Sequence, residues 1–103
     1  MEVIYTVCSS SEEAKLIGKI LVQEKLCACV NIFPAMESIY FWEGNIVEDE
    51  EAVLLIKTHK DLFDKISKKI KSLHSYEVPC VFSLSVNNVT ADYVTWMNHV
   101  IEP

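Results

Sequence analysis

The chain has 103 residues, 50% of them hydrophobic and 23% charged. That length bounds it to one domain, residues 1–103, of about two packed layers, and the apolar surplus predicts surface buried against another subunit. A net charge of −6 and the lack of any arginine argue against a nucleic-acid partner, although Lys60, Lys65, Lys68, Lys69 and Lys71 lie together.

Val3-Ile4-Tyr5-Thr6-Val7 reads as a first strand that ends near Cys8. Ser10-x-x-Glu13 is a capping box, and Leu16, Ile17, Ile20 and Leu21 form one apolar stripe, so a helix is expected over residues 12–25. Residues 28–41 are a second extended segment with Pro34 as a break or bulge inside it. Trp42-Glu43-Gly44-Asn45 is a turn, and residues 46–57 are a third strand. Its run Ala52-Val53-Leu54-Leu55-Ile56 is too continuously apolar for a half-exposed strand, which predicts cover on both faces.

Thr58 and Asp61 read as the cap of a second helix whose stripe is Leu62, Phe63, Ile66, Ile70 and Leu73. Residues 80–86 are a fourth strand, and a short third helix starts at Thr90 or Asp92 and runs to about residue 100. The order β-α-β, β-α-β, then a helix predicts an α+β, ferredoxin-like split βαβ sandwich. Helices on one face of an antiparallel sheet leave the other face bare and apolar, a second reason to expect oligomers. No apolar run approaches the ~18 residues of a membrane span and no leader pattern opens the chain. The expectation is therefore no membrane partner, a cytoplasmic location and four reduced cysteines.

His74-Ser75-Tyr76-Glu77-Val78-Pro79 gathers an imidazole, a phenol and a carboxylate just after a helix and ahead of a strand. Clustered titratable groups mark sites, although a histidine at a helix C-terminus is also favoured by the dipole alone, and this one should be partly exposed. Cys8, at a strand end before a helix N-terminus, stands where ligand sites gather and where a dipole lowers a thiol pKa. Cys27-x-Cys29 puts two thiols on one face of an extended segment, yet no second pair completes a structural zinc site. Buried, inert cysteine is the commoner state of a free thiol. Tyr40-Phe41-Trp42 reads as a core or subunit-contact cluster, and Glu48-Asp49-Glu50-Glu51 as a solvated edge that discourages strand addition. There is no nucleophile elbow, no phosphate loop and no helical His-Glu-x-x-His, so catalysis has no positive support and the expectation is a protein that is not an enzyme.

Five segments in order resemble one family. They are Leu26-Cys27-Ala28-Cys29-Val30-Asn31-Ile32-x-Pro34, Ser38-Ile39-Tyr40-x-Trp42-x-Gly44, Ile56-Lys57-Thr58, His74-x-Tyr76-Glu77-Val78-Pro79 and Tyr93-x-x-Trp96. Together they look like the CutA divalent-cation tolerance family, across essentially the whole chain. The resemblance implies a ferredoxin-like fold in an intertwined homotrimer similar to the PII proteins. It implies copper or another divalent cation as ligand, not required for folding, with Cys8 and His74 as metal-binding positions. Tyr40, Trp42, Lys57, Tyr76, Glu77 and Trp96 would line a ligand cleft or an interface. The chain departs from the family pattern at Ser75, where proline is common, and at Leu73, where a second histidine can stand. Two function classes follow: a trimer that binds metal ions, or a trimeric scaffold or signalling module that holds a small ligand or protein partner in clefts between subunits.

Overall fold

The computed structural model describes residues 1–101. Its elements are β1 (Glu2–Cys8), α1 (Ser11–Gln23), β2 (Cys29–Trp42), β3 (Asn45–Thr58), a 3-10 turn (Lys60–Leu62), α2 (Phe63–Leu73), β4 (Val81–Ser85) and α3 (Ala91–Val100). The sheet order is β2-β3-β1-β4, and every neighbouring pair is antiparallel. β1 and β2 are therefore parallel to each other with β3 between them, and β3 and β4 are parallel with β1 between them. That is the expected split βαβ topology.

The helix-covered face follows from the two-residue period of the strands. Ile4, Thr6 and Cys8 from β1 and Ala52, Leu54, Ile56 and Thr58 from β3 are all fully buried. Ala14, Ile17 and Leu21 of α1 and Ile66 and Ile70 of α2 close over most of them. Each of the leucines and isoleucines among them contributes about 1.5–3 kcal/mol when removed from water, which makes this layer the main source of stability. Gly18 lets α1 lie close to the sheet edge, because a Cβ there would stand 2.9 Å from Val30 Cγ2.

The expected Ala52–Ile56 run is buried except at Leu55, which is half-exposed. Leu55 belongs to the opposite face, where Tyr5 stacks on Phe82 with ring centroids 4.8 Å apart and Leu84 stays open to solvent. α3 lies against one end of that face. Lys57 Nζ stands 5.7 Å from the Tyr93 ring, and Met97 and Ile101 bury beside Ala28.

β2 and β3 form a long hairpin closed by Glu43 (φ 51°) and Gly44 (φ 82°) between the paired residues Trp42 and Asn45. Two successive residues at positive φ match the strand twist in a two-residue turn, and glycine fills the second at no steric cost. The register shifts between Phe33 and Met36, around Pro34, as a residue without an N–H requires. Along this hairpin Phe33, Ile39, Phe41 and Ile46 are all more than half exposed.

Two sequence expectations are corrected. Thr58 does not cap the second helix; it ends β3, and its hydroxyl donates to the Leu26 carbonyl at 2.7 Å. The chain then makes the 3-10 turn before α2, whose N-cap residue Leu62 supplies no side-chain hydrogen bond. Glu51 does not belong to a solvated acidic edge, because it is only 7% exposed. Among the described residues, no helix is long and apolar enough to cross a membrane.

Candidate metal centre

Three element ends converge at one end of the central strand β1. β1 delivers Cys8, the first turn of α1 delivers Glu13, and α2 stops at its C-cap residue, His74. Cys8 Sγ, a Glu13 carboxylate oxygen and a His74 ring nitrogen all lie within 4.8 Å of one another. Cys8 and His74 were both expected to meet a ligand, and they stand together.

Glu13 is the residue that sequence reasoning missed as a donor. Its place in Ser10-x-x-Glu13 accounted for it as a cap, and half of that box forms: Ser10 Oγ accepts from the Glu13 amide at 3.2 Å. The carboxylate, however, reaches past the cap. Oε1 accepts from the Ser9 amide at 2.9 Å and the Ser9 hydroxyl at 3.1 Å, while Oε2 accepts from the Ser75 amide at 2.9 Å. Burial pushes this carboxyl up, but the hydrogen bonds from Ser9 and Ser75 outweigh it and hold Glu13 below its usual value. It is an ionised donor at neutral pH.

His74 is not the partly exposed helix-end cation the sequence suggested; its side chain is 0% exposed. One ring nitrogen, Nε2, lies 2.7 Å from the Val7 carbonyl and must donate its proton there. The other, Nδ1, accepts from the Tyr76 amide at 3.0 Å. Those two contacts admit only the neutral tautomer with hydrogen on Nε2. Nδ1 also approaches Glu13 Oε1 at 3.9 Å, too long for a hydrogen bond, so the Tyr76 amide rather than an ion pair decides the state of the ring. Anchoring Nε2 on a carbonyl fixes the ring and its tautomer as in a metal-binding histidine, with Nδ1 on the side of the Glu13 carboxylate.

The expected lowering of the Cys8 pKa is reversed. Burial pushes the thiol up to about 12, and the neighbouring Glu13 and Glu51 carboxylates add to it. The helix N-terminus does not compensate, because the thiol is fully buried and two negative charges face it. Glu51 is held in turn by the Tyr76 hydroxyl, which donates to its Oε2 at 2.5 Å. Burial and that contact raise the Tyr76 phenol. Tyr76 therefore links the centre to β3, and its ring packs against His74 with centroids 4.8 Å apart.

The donor set fits a metal ion of a definite kind. A thiolate, an imidazole and a carboxylate suit borderline or soft cations such as Zn(II) and copper, whereas magnesium and calcium prefer all-oxygen shells. Three donors leave a position open. The 4.8 Å spread is wider than the ~3.5 Å between ligands of a tetrahedral site, so the donors must close in on an ion.

The remaining candidates divide. Tyr40, Trp42, Tyr76 and Glu77 line one groove of about 440 Å³ between the hairpin tip and the connection from α2 to β4. His74 does not line it. Lys57 and Trp96 stand elsewhere, at α3, where Trp96 packs on Tyr93 with centroids 5.5 Å apart. Cys27 joins the main core and Cys29 packs near α3, so the Cys27-x-Cys29 pair serves two different clusters. Cys80 is exposed.

The family model described as "CutA1 divalent ion tolerance protein" matches residues 2–100. A relative from Thermus thermophilus, "Divalent-cation tolerance protein CutA", is 43% identical over 96 residues, covering 93% of each chain. The rice relative "Protein CutA 1, chloroplastic" is 37% identical over 94% of this chain, which spans 55% of the relative's length. The solved structure of the "Periplasmic divalent cation tolerance protein CutA" from Archaeoglobus fulgidus superposes with a TM-score of 0.95 at 34% identity, covering 99% of this chain and 100% of that one. These names correct the expected cytoplasmic location: one relative is chloroplastic and another periplasmic, so this fold is not tied to the cytosol.

Proposed function

We propose that this chain, which belongs to the CutA1 divalent ion tolerance protein family, binds copper or another thiophilic divalent cation at Cys8, Glu13 and His74. The observation that carries the reading is the mutual approach of these three donors to within 4.8 Å. The chemistry of the donors supplies selectivity. A thiol held up at about 12 gives up its proton only to an ion with high affinity for thiolate, which excludes hard cations at physiological concentration. Glu13 and His74 are also satisfied by hydrogen bonds within the chain, at Ser9, Ser75, Val7 and Tyr76, and Cys8 is a buried, protonated thiol, so the fold does not depend on the ion. A site that is complete without its ion and has an open position suits exchangeable binding, and the reading assigns binding rather than catalysis.

The test is a competition titration with copper(I), copper(II), zinc and magnesium. Wild type should bind the thiophilic ions and not magnesium. Cys8→Ser should weaken the former by at least about a hundredfold, and Glu13→Gln by about tenfold. Wild-type affinity in Cys8→Ser refutes the assignment.

A PII-like homotrimer is the assembly we infer. Its support is the exposed apolar hairpin, with Ile39 71%, Phe41 74% and Ile46 67% exposed, together with Leu84 at 58% on the β4 edge. Exposed apolar surface on this scale marks an interface. Light scattering should give three times the chain mass at micromolar concentration; a monomer excludes the inference.

A further inference from the structure

We propose that the groove between the hairpin tip and the α2–β4 connection binds a small organic ammonium ion, at a site distinct from the metal centre. Three aromatic side chains form its walls. Tyr40 and Trp42 stand two residues apart on β2 and so project from the same face, and Tyr76 comes from the connection. Tyr40 is 38% and Trp42 49% exposed, and the groove, open on one side, has a volume of about 440 Å³, that of a small-molecule site.

The occupant follows from what the walls offer. Both phenols direct their protons to carboxylates: Tyr40 donates to Asp49 Oδ2 at 3.3 Å and Tyr76 to Glu51 Oε2 at 2.5 Å. A phenol that donates to an anion is polarised toward phenolate, which enriches its ring with electrons. Among the described residues the only charged one lining the groove is Glu77, and no lysine lines it; the chain has no arginine. An anion would find no counter-charge there and would face Glu77, with Asp49 and Glu51 behind the rings. A bare hard metal ion would find a single carboxylate where it needs several oxygens. A neutral polar molecule would find the phenol donors already engaged. A cation with an alkyl coat meets each feature: ring faces for its charge, Val78 for its carbon, and Glu77 at the rim.

The probe is tetramethylammonium, with tert-butanol as its uncharged counterpart of similar shape and sodium chloride as the ionic-strength control. The chain has two tryptophans, so a Trp96→Phe background leaves Trp42 as the sole reporter. Saturable change of Trp42 emission is expected with tetramethylammonium and with neither control. The backbone amides of residues 75–80 should shift with the same midpoint. Followed by those amide shifts, Trp42→Ala should weaken binding about tenfold and Glu77→Gln about threefold. Both residues are exposed, so both variants should fold. Equal response to tert-butanol, or no saturable response because a second copy fills the groove, overturns the proposal. So does unchanged affinity in both variants, which would put the cation elsewhere, as on Glu48–Glu50.

Discussion

The backbone amide of Tyr76 donates to His74 Nδ1 at 3.0 Å, so the nitrogen that approaches Glu13 is already occupied. Nε2 is committed to the Val7 carbonyl. An ion that takes Nδ1 must displace the Tyr76 amide, and Tyr76 also carries the hydroxyl that holds Glu51. Metal binding at this centre is thereby coupled to the connection that forms one wall of the aromatic groove.

The first prediction concerns that amide. In the metal-free protein the Tyr76 N–H should be protected from hydrogen exchange, and one equivalent of copper or zinc should abolish the protection and shift its resonance. A Tyr76 amide that stays protected while the Cys8 thiol is metal-bound would show that His74 Nδ1 is not a ligand.

Proton release is the second. Cys8 is a protonated thiol at pH 7, because its pKa is pushed up to about 12, while Glu13 is held low and ionised. His74 is already neutral by its hydrogen bonds. Calorimetry in buffers of different ionisation enthalpy should therefore find about one proton released per bound ion at pH 7, and none in Cys8→Ser. No release in wild type would mean that the thiol stays outside the coordination.

Alkaline pH supplies the third. Cys8 and Cys27 are both raised from 9.0 to about 12, in each case mainly by burial. The folded chain keeps protons that the unfolded chain loses above pH 9, so this contribution is fully present below pH 9 and shrinks as pH rises toward 12. The slope is up to about 1.4 kcal/mol per pH unit for each thiol. Urea unfolding at fixed protein concentration should show stability falling between pH 9 and 10.5, with a shallower fall in Cys27→Ser. A pH-independent midpoint across that range contradicts the burial of these thiols.

The fourth rests on the pair beside the centre. Tyr76→Phe removes the hydroxyl that satisfies Glu51, which is 7% exposed, and should cost about 1–3 kcal/mol in thermal or chemical unfolding. Glu51→Gln retains an acceptor for that hydroxyl and should cost less. Equal losses in the two variants would mean that the contact contributes no more than its packing.

A fifth concerns Thr6, whose fully buried hydroxyl has no partner among the described residues. Thr6→Val keeps the shape and removes the unpaired group, so it should stabilise the fold by about 1 kcal/mol. A loss of stability would reveal a hydrogen bond to ordered water.

The strands and helices were legible because their periods are local. The stripe Ile66, Ile70 and the alternation along β1 each imply one buried face, and Glu43-Gly44 and Pro34 carry their backbone consequences with them. The centre was legible in part. Cys8 and His74 stood out by their positions at element ends, but Glu13 already had a local explanation as a cap, and its reach to Ser75 spans 62 residues. Glu51 sat in a run of acids, and only the pairing with a phenol 25 residues away distinguishes it from its solvated neighbours. The thiol pKa departs from expectation for the same reason: a dipole is visible in sequence, but the burial of Cys8, the larger cause, and the two carboxylates that converge on it are not. Thr58 resembled a cap until the Leu26 carbonyl claimed its hydroxyl.

The most direct test of the metal centre is anomalous diffraction at the copper or zinc edge from crystals loaded with one equivalent of the ion. A single strong peak is expected within about 2.0–2.3 Å of Cys8 Sγ, a Glu13 carboxylate oxygen and His74 Nδ1, with the Tyr76 amide turned away. A peak at Cys80 or along Glu48–Glu50, with Cys8, Glu13 and His74 undisturbed, would contradict it.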